Sequence, residues 1–349
     1  MHSRANCKPV ANRIRDRGGL SLVELLIVIA VVSMLLGLLL PAIQQVREAS
    51  RQMQCCHHLR QLGLAVHNYL DVHQALPPSS CFLPTDRKAN RGIWSINGRL
   101  LPFLDQSISF LRINLELSWN DPANQETGVP QMKFPFLNCP SDPRGDIIHY
   151  SGAGEGYVYP TNYGYNFGTW LVFDPATNAG GDGCFHPNCS IRPAEIKDGL
   201  SNTLCAAEVK SYQPYIINTL DPGATPPASP TIPAQYAAGA NFSMGPSLDD
   251  NEGHTEWCEG LVHETGFTTV FTPNQNVPFC QTGLGKYDID WSTRYEGSSA
   301  TQATYAAVTA RSNHRGAVNV LMMDGSVHTE NNNIVLSVWR ALGTRNGGE

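Results

Sequence analysis

A histidine and an aspartate–glycine pair near the C-terminus, His314 and Asp324-Gly325, include side chains that can carry out acid–base chemistry. The residues between them, 317–323, are mostly apolar and predict a β-strand. Asp324-Gly325 would then form the turn of a hairpin, because glycine tolerates positive φ. An extended strand of this length would separate the two side chains by about 30 Å, so we do not expect a catalytic pair. A strand cap and a turn are the favoured interpretation, and a contact with a neighbouring subunit or a cation is the alternative.

Cys184 and Cys189 flank His186 in a short polar segment. In a compartment that permits oxidation, such a pair predicts a disulfide. Free thiols are one alternative. Zinc is the other, although two thiolates and one imidazole at this spacing match no common zinc site. Nine cysteines follow residue 19, and because nine is odd, at least one is free or bridges two chains.

Two clusters of acidic residues offer oxygen ligands. Asp249 and Asp250 precede an asparagine and a glutamate, and Asp288 and Asp290 are separated by one residue. Calcium requires six or more oxygen ligands, often from loops. Neither cluster has the spacing of an EF-hand, so solvated loop carboxylates are favoured over a calcium site, and no other cofactor is expected.

Motifs of the common enzyme classes are not found in the sequence. It contains no G-x-S-x-G, H-E-x-x-H or P-loop pattern, and the glycine-rich residues 152–156 lack the lysine and the helical pattern that a phosphate-binding loop needs. The chain has 24 Lys and Arg against 30 Asp and Glu, a net charge of −6, which gives no overall field that attracts nucleic acid. We therefore expect neither an enzyme nor a nucleic-acid partner.

Residues 20–40 form an apolar segment interrupted only by Ser21, Glu24 and Ser33. As a helix these 21 residues would rise roughly 30 Å, the thickness of the hydrocarbon core of a bilayer. Residues 1–19 carry five basic residues and one acidic residue, and basic flanks stay in the cytoplasm. We expect a single-pass protein of the cytoplasmic (inner) membrane with its N-terminus in the cytoplasm and its C-terminal part periplasmic or extracellular. A secretory signal fits less well, because the apolar segment is long and no A-x-A site follows it.

Glu24 is an ionisable residue inside this segment, where a charge usually has a partner. Cleavage between Gly19 and Leu20 would make Glu24 the fifth residue, about one helical turn from the new terminal amine. In an array of such helices, the amine of a neighbour would pair with the carboxylate. The alternative is that Glu24 reaches the lipid headgroups.

Residues 17–26, RGGLSLVELL, resemble the processing signal of type IV prepilins and type II secretion pseudopilins. The resemblance implies that a prepilin peptidase cuts after Gly19 and methylates Leu20, which stands where phenylalanine is most common. Glu24 matches the glutamate that the family carries at mature position five. Pro41 falls at mature position twenty-two, where many pilins carry a proline and their helix bends. A proline inside a helix removes one hydrogen bond and favours such a bend.

The remaining pattern predicts an α+β protein: a long N-terminal membrane-spanning helix, pilin-like, packed on a mostly antiparallel β-rich domain. After the leader and the span, residues 41–76 continue the helix along one apolar stripe, and Pro77-Pro78 would end it. Residues 77–349 form the exported domain, with short strands between turn signals and a proline-rich loop at 221–235. We also predict a strand at residues 94–96 and short helices at 107–117 and 334–342.

A second resemblance covers nearly the whole chain. The sequence is similar to the large prepilin-type bacterial proteins that end in a His-x9-Asp-Gly motif, a family of unknown function that is sometimes labelled solute-binding. The matching stretches include LLPAIQ at 39–44, HNY at 67–69, LLPFLDQ at 100–106, CPSDP at 139–143, DGLSNT at 198–203, and His314 with DGSV at 324–327. The resemblance indicates family membership and little about mechanism.

Together these features predict a pilin-like or pseudopilin-like structural subunit that assembles into a filament or a secretion pseudopilus. Its partners would be prepilin peptidase, the membrane, and copies of itself or related pseudopilins. The alternative is a monomeric, membrane-tethered extracellular binding protein, with residues 150–170, rich in aromatic residues and glycine, as its ligand face.

Overall fold

The computed structural model describes residues 22–81, 93–152, 156–231, 236–281 and 285–348. It divides into two units, residues 1–49 and residues 50–349. Helix α1 (Leu22–His73) has 52 residues and includes Pro41. Gly19 and Leu20 lie outside the described residues.

Helix α1 ends three residues before the predicted position. Gln74 adopts a positive φ of 59°, and its amide donates to the carbonyl of Leu70, which caps the last turn. The amide of Leu76 then donates to the carbonyl of Ile191, so the chain joins the body before it reaches Pro77. The helix therefore ends where Gln74 adopts the left-handed backbone conformation, before the chain reaches the proline pair.

The second unit contains five shorter α-helices among the described residues: α2 (Ile96–Leu100), α3 (Ser107–Phe110), α4 (Pro122–Gln125), α5 (Val262–Thr265) and α6 (Leu336–Gly343). Its short 3-10 helices are Leu101–Phe103, Pro135–Leu137, Pro193–Glu195, Leu200–Asn202 and Leu248–Asp250. Its strands are β1 (His149–Tyr150), β2 (Tyr157–Val158), β3 (Tyr163–Asn166), β4 (Leu171–Asp174), β5 (Ala179–Gly180), β6 (Leu204–Glu208), β7 (Tyr215–Ile217), β8 (Asn241–Ser243), β9 (Gly266–Phe267), β10 (Pro278–Gln281), β11 (Gly285–Asp288), β12 (Asp290–Ser292), β13 (Thr304–Ala307), β14 (Ala317–Met322) and β15 (Val327–Asn331).

Two sheets organise these strands. One has the order β15-β14-β6-β3-β9 and the other β5-β4-β13-β12-β7-β8, while β1-β2 and β10-β11 are separate two-stranded pairs. Pairing is antiparallel except between β3 and β9 and between β7 and β12. With the long helix, this arrangement is the predicted α+β class.

The outer half of α1 packs against the five-stranded sheet. Leu59, Leu62 and Val66 share one hydrophobic cluster with Tyr163 of β3 and Leu321 of β14. The contact is close at Gly63, where a Cβ atom would come within 2.9 Å of Leu321 Cδ1. The glycine therefore lets the helix backbone approach the strand.

The opposite face of the same sheet is covered by α6. Trp339 is fully buried there and packs with Val318, Val320 and Met322, the alternate residues of β14. Because successive side chains of a strand point to opposite faces and both faces are covered, all residues of β14 except Asn319 are apolar. This accounts for its prediction as a mostly apolar strand.

Local predictions outside this sheet were mixed. Residues 94–96 are not a strand: Trp94 forms one isolated bridge with Glu259, and α2 begins at Ile96 with the Ser95 hydroxyl as its N-cap. A short apolar run is ambiguous between helix and strand. The helices predicted at 107–117 and 334–342 are present as the shorter α3 and α6. The described part of the proline-rich loop, residues 221–231, has no helix or strand.

Candidate functional site

The apolar half of α1 is the first candidate for function. Its large hydrophobic side chains from Leu22 to Leu40 are between 47% and 76% exposed. Among the described residues, α1 is long and apolar enough to cross a membrane. Glu24 lies in its first turn and Pro41 at the end of its most apolar stretch. The apolar side chains need a partner that the described structure does not supply.

A second candidate lies where α1 becomes buried. Cys55 is joined by a disulfide to Cys139, 84 residues later. Nε2 of His314 lies 3.6 Å from Sγ of Cys139 and 3.3 Å from Oε1 of Glu208. All four residues are at least 95% buried. This group connects α1, the loop after residue 137, β6 and the segment before β14.

Glu208 is held in place by Asn319 of β14. The backbone amide of Asn319 donates to Oε2 at 2.9 Å, and its side-chain amide donates to Oε1 at 3.0 Å. Oδ1 of Asn319 in turn accepts from the Thr329 hydroxyl at 2.8 Å. A buried carboxylate is tolerable with such donors, because they replace the hydrogen bonds of water.

These four residues also have ligand atoms within 4.8 Å of one another, as a tetrahedral metal site would. Cysteine binds metals as the thiolate, and in this structure Cys55 and Cys139 are joined to each other. The group therefore consists of a disulfide beside a buried contact between Glu208 and His314. His314 was predicted as a strand cap, and this burial against Cys139 was missed.

Asp324 and Gly325 form the hairpin turn that the sequence predicted. Gly325 has a φ of 84°, and Oδ1 of Asp324 accepts from both the amide and the hydroxyl of Ser326. The hydrogen bonds from Ser326 are the main cause of a lowered pKa at Asp324. Strands β14 and β15 pair antiparallel on either side of the turn.

The predicted disulfide between Cys184 and Cys189 is wrong: both are free, buried thiols. Burial raises the pKa of Cys184 to about 12 and that of Cys189 to about 11, so neither is a thiolate near neutral pH. Nδ1 of His186 lies 2.7 Å from the carbonyl of Pro187, and burial lowers the pKa of His186 to about 4. In the described structure the two thiols are therefore protonated and buried, and the imidazole between them in sequence is neutral.

Asp288 and Asp290, weak calcium candidates, instead hold Arg311. Nη1 of Arg311 lies 2.7 Å from Oδ2 of Asp288, and Nη2 lies 3.1 Å from Oδ1 of Asp290. Burial raises the pKa of Asp290 to about 6 even with this guanidinium beside it. The other candidates, Asp249 and Asp250, are exposed in a 3-10 helix, where Asp250 accepts from the amide of Ser247.

A cavity of about 200 Å³ in the second unit was missed by the sequence analysis. We call it the acidic cavity. Four of the residues that line it are glutamates, and none of its described lining residues is a lysine or an arginine. The lining residues are Asn120, His149, Ser151, Glu252, Glu256, Glu259, Leu261, His263, Glu264 and Tyr295.

The loop between residues 252 and 264 supplies most of this lining. Glu264 of α5 holds the loop in place through hydrogen bonds to its backbone. Oε2 of Glu264 accepts from the amides of Thr255 and Glu256 at 2.7 and 2.8 Å. Oε1 of Glu264 lies 3.3 Å from Nε2 of His263. Glu256 and Glu264 are buried and Glu252 is exposed, so the cavity extends from the protein interior to the surface.

The acidic cavity disfavours the simultaneous ionisation of several of its glutamates. Burial, with the neighbouring carboxylate of Glu259 as the next cause, raises the pKa of both Glu256 and Glu264 well above the usual range. Burial also lowers the pKa of His263 to about 3, so its imidazole is neutral. The sequence contains a signal for this cluster, because residues 252–264 include four glutamates and two histidines but no lysine or arginine.

Comparison with known families agrees with this architecture. The comparisons assign the chain a prepilin-type N-terminus. A family model described as the prokaryotic N-terminal methylation motif matches residues 14–40. A second model, described as a protein of unknown function (DUF1559), matches residues 44–335, and the chain belongs to this family. No curated protein and no solved structure matches the chain.

Proposed function

We propose that this chain is a pilin-like or pseudopilin-like structural subunit. Prepilin peptidase would remove residues 1–19 and methylate Leu20, and the mature protein would be held in the inner membrane by α1 with residues 77–349 outside the cytoplasm. The observation that carries the proposal is the match to the methylation motif over residues 14–40, which includes the exposed apolar first half of α1. Lipid would cover those side chains before assembly and neighbouring helices afterwards.

Assembly would depend on Glu24. Cleavage before Leu20 places a terminal amine about one helical turn from Glu24, at a similar depth in each subunit. In a filament, axially displaced neighbours would bring the amine of one subunit to the carboxylate of the next within an apolar layer. Opposite charges attract strongly where water is excluded. Head-to-tail contacts of this kind do not close a ring and therefore produce an open filament.

The first experiment is mass spectrometry of the protein purified from membranes of a host with prepilin peptidase. We expect an N-terminus at Leu20 that carries a methyl group. A protein that keeps Met1 in such a host would overturn the proposal. Assembly is then tested by crosslinking in membranes, where the wild type should give a ladder of multimers. Glu24→Gln should shorten that ladder, while the matched control Glu48→Gln in the same helix should keep it.

Burial narrows the ligand face that a membrane-tethered monomer would use in residues 150–170. Tyr163, Tyr165, Phe167 and Trp170 are at most 2% exposed and belong to the core, whereas Tyr150 and Tyr157 are 50% and 53% exposed. A tethered monomer would give no ladder at any crosslinker concentration. The proposed role is in assembly and display.

A further inference from the structure

The buried group formed by the two disulfide cysteines, Glu208 and His314 contains more polar side chains than a disulfide needs. A disulfide requires no acid or base beside it, yet the imidazole of His314 and the carboxylate of Glu208 both approach Sγ of Cys139. In the part of the chain that the structure describes, this is the one group of three or more metal-ligating side chains whose ligand atoms all lie within 4.8 Å of one another. Sulfur, nitrogen and carboxylate oxygen that converge in this way point to a metal ion as a shared ligand.

The distances within the group are those of a tetrahedral zinc site. Zinc bonds of about 2.3 Å to sulfur and about 2.0–2.2 Å to nitrogen or oxygen place the ligand atoms about 3.3–3.8 Å apart. Nε2 of His314 lies 3.6 Å from Sγ of Cys139 and 3.3 Å from Oε1 of Glu208, and Sγ and Oε1 are 4.0 Å apart. These three distances match the expected edges to within a few tenths of an ångström. A cation therefore fits between the atoms once the two sulfurs separate by rotation of the cysteine side chains.

The segments that carry the two cysteines are held together by contacts other than the disulfide. Nε of Arg51 on α1 donates to the Ser141 hydroxyl at 3.1 Å, and Nδ1 of His58, also on α1, lies 3.0 Å from the carbonyl oxygen of Asn138. Along α1 these two contacts stand on either side of the disulfide. Reduction of the disulfide would therefore leave the two thiols close together, as a metal site requires.

The carboxylate in the group is oriented by a further layer of hydrogen bonds. The backbone and side-chain amides of Asn319 donate to the two oxygens of Glu208, and the Thr329 hydroxyl donates to Oδ1 of Asn319. Metal-binding side chains usually have such partners, and loss of a partner typically weakens metal binding by about 10–100-fold. The carboxylate is thus held in the position that a ligand would occupy.

The donor set selects among cations. Calcium and magnesium prefer ligands made only of oxygen, whereas thiolates favour zinc and softer metals. Two thiolates, one imidazole and one carboxylate complete a four-coordinate zinc site with protein ligands alone. Because all four side chains are buried, no coordination position is open to a substrate, which is the character of a structural zinc site.

We propose that the dithiol form of this protein binds one Zn²⁺ through the two cysteine sulfurs, Nε2 of His314 and Oε1 of Glu208. A dithiol reductant would first transfer two electrons and two protons to the Cys55–Cys139 disulfide and become a disulfide itself. Zn²⁺ would then displace one proton from each of the two thiols. The metal would join α1 to the body in place of the sulfur–sulfur bond. This site goes beyond the proposed structural role and does not depend on processing or filament assembly.

The test uses the full-length protein in detergent, reduced with a phosphine and stripped with EDTA in moderate urea, then returned to native buffer under nitrogen. Co²⁺ is the probe, because tetrahedral cobalt absorbs strongly in the visible region and its thiolate bonds give a charge-transfer band in the near ultraviolet. We expect one equivalent of Co²⁺ to bind, Zn²⁺ to displace it, and the oxidised protein to show neither absorption. X-ray absorption of the zinc form should find two sulfur ligands at about 2.3 Å and two nitrogen or oxygen ligands at about 2.0–2.2 Å.

Variants identify the ligands. Cys139→Ser should weaken Co²⁺ binding by about tenfold or more and reduce the thiolate band, since one sulfur ligand is lost. His314→Gln and Glu208→Gln should weaken binding to a similar degree but keep the thiolate band at saturating Co²⁺. Cys56→Ser is the matched control, because Cys56 adjoins Cys55 on α1 and is a free thiol outside the group. It should bind Co²⁺ like the wild type.

Four outcomes would overturn the proposal. One is no binding of Co²⁺ or Zn²⁺ by the reduced protein up to millimolar metal. Another is equal affinity in the wild type and in all three ligand variants. A third is binding that is lost in Cys184→Ser but kept in Cys139→Ser, which would place the metal near Cys184 and Cys189. The fourth applies if the reduced chain unfolds without metal: one equivalent of Zn²⁺ should then restore the circular dichroism of the folded protein, and failure to do so would count against the site.

Discussion

His314 and Glu208 meet in the core, with Nε2 of the histidine 3.3 Å from Oε1 of the glutamate. Both side chains are almost wholly buried, and the same histidine nitrogen lies 3.6 Å from Sγ of Cys139. The two parts of the C-terminal motif therefore have different structural roles. The histidine packs beside the disulfide, and Asp324-Gly325 forms the turn of the hairpin.

Truncation of this histidine should destabilise the fold. His314→Ala leaves the carboxylate of Glu208 without one of its partners inside the protein, which costs about 2–4 kcal/mol. The free energy of unfolding in urea is the measurement. His328→Ala, an exposed histidine of the same hairpin, is the control and should change it by less than about 0.5 kcal/mol. Equal midpoints for the two variants would contradict the buried contact.

Loss of the disulfide should have a comparable effect. Cys55→Ser removes a crosslink that closes 84 residues of chain, and such crosslinks typically contribute about 2–5 kcal/mol. Urea unfolding with and without reductant measures the difference. Cys280→Ser, at an exposed free thiol, should unfold like the wild type. Peptide mapping without reduction should recover Cys55 linked to Cys139 and Cys184 linked to nothing.

Arg311 should be needed to keep Asp290 in the interior. Arg311→Met leaves a buried carboxylate without its cation, and we expect a loss of about 3 kcal/mol in the free energy of unfolding. Asp290→Asn in the same background should recover part of that loss, because it removes the uncompensated charge. The exposed Arg315→Met is the matched control. If calcium restored Arg311→Met to wild-type stability, the aspartates would be cation ligands after all.

Glu296 should make stability depend on pH. Burial raises the pKa of Glu296 to about 8, so between pH 4.5 and 8 the folded protein keeps a proton that the unfolded chain loses. Stability from this group is therefore full at low pH and falls as pH rises towards 8, by about 1.4 kcal/mol per pH unit at most. Glu296→Gln should remove that slope when unfolding is measured from pH 5 to 8 in EDTA. Parallel curves for variant and wild type would show that Glu296 ionises normally.

The sequence predicted the elements whose signal is local. The apolar length of α1, the Asp324-Gly325 turn and the strand before it follow from patterns within 21 residues or fewer, and all are present. The pairing of Cys55 with Cys139 could not be derived, because many pairings satisfy the same cysteine count. Their proximity depends on how α1 packs against the sheet, a long-range contact.

The acidic cavity illustrates the same limit. The density of glutamates and histidines in 252–264 is visible in the sequence, but its meaning depends on His149 and Tyr295, which other parts of the chain supply. Conversely, Asp288 and Asp290 look like cation ligands in isolation, and only the packing of Arg311 against them reveals their role.

Cys55 is the first fully buried residue of α1 counted from Leu22, and it is also the residue with the covalent link. If machinery in the membrane pulls on the apolar end of the helix, the tensile load reaches the body at this residue. There a covalent bond to Cys139 shares the load with apolar packing, which yields more easily under shear. A subunit whose Cys55–Cys139 disulfide is reduced would then resist pulling less well at Cys55, even at temperatures where it stays folded.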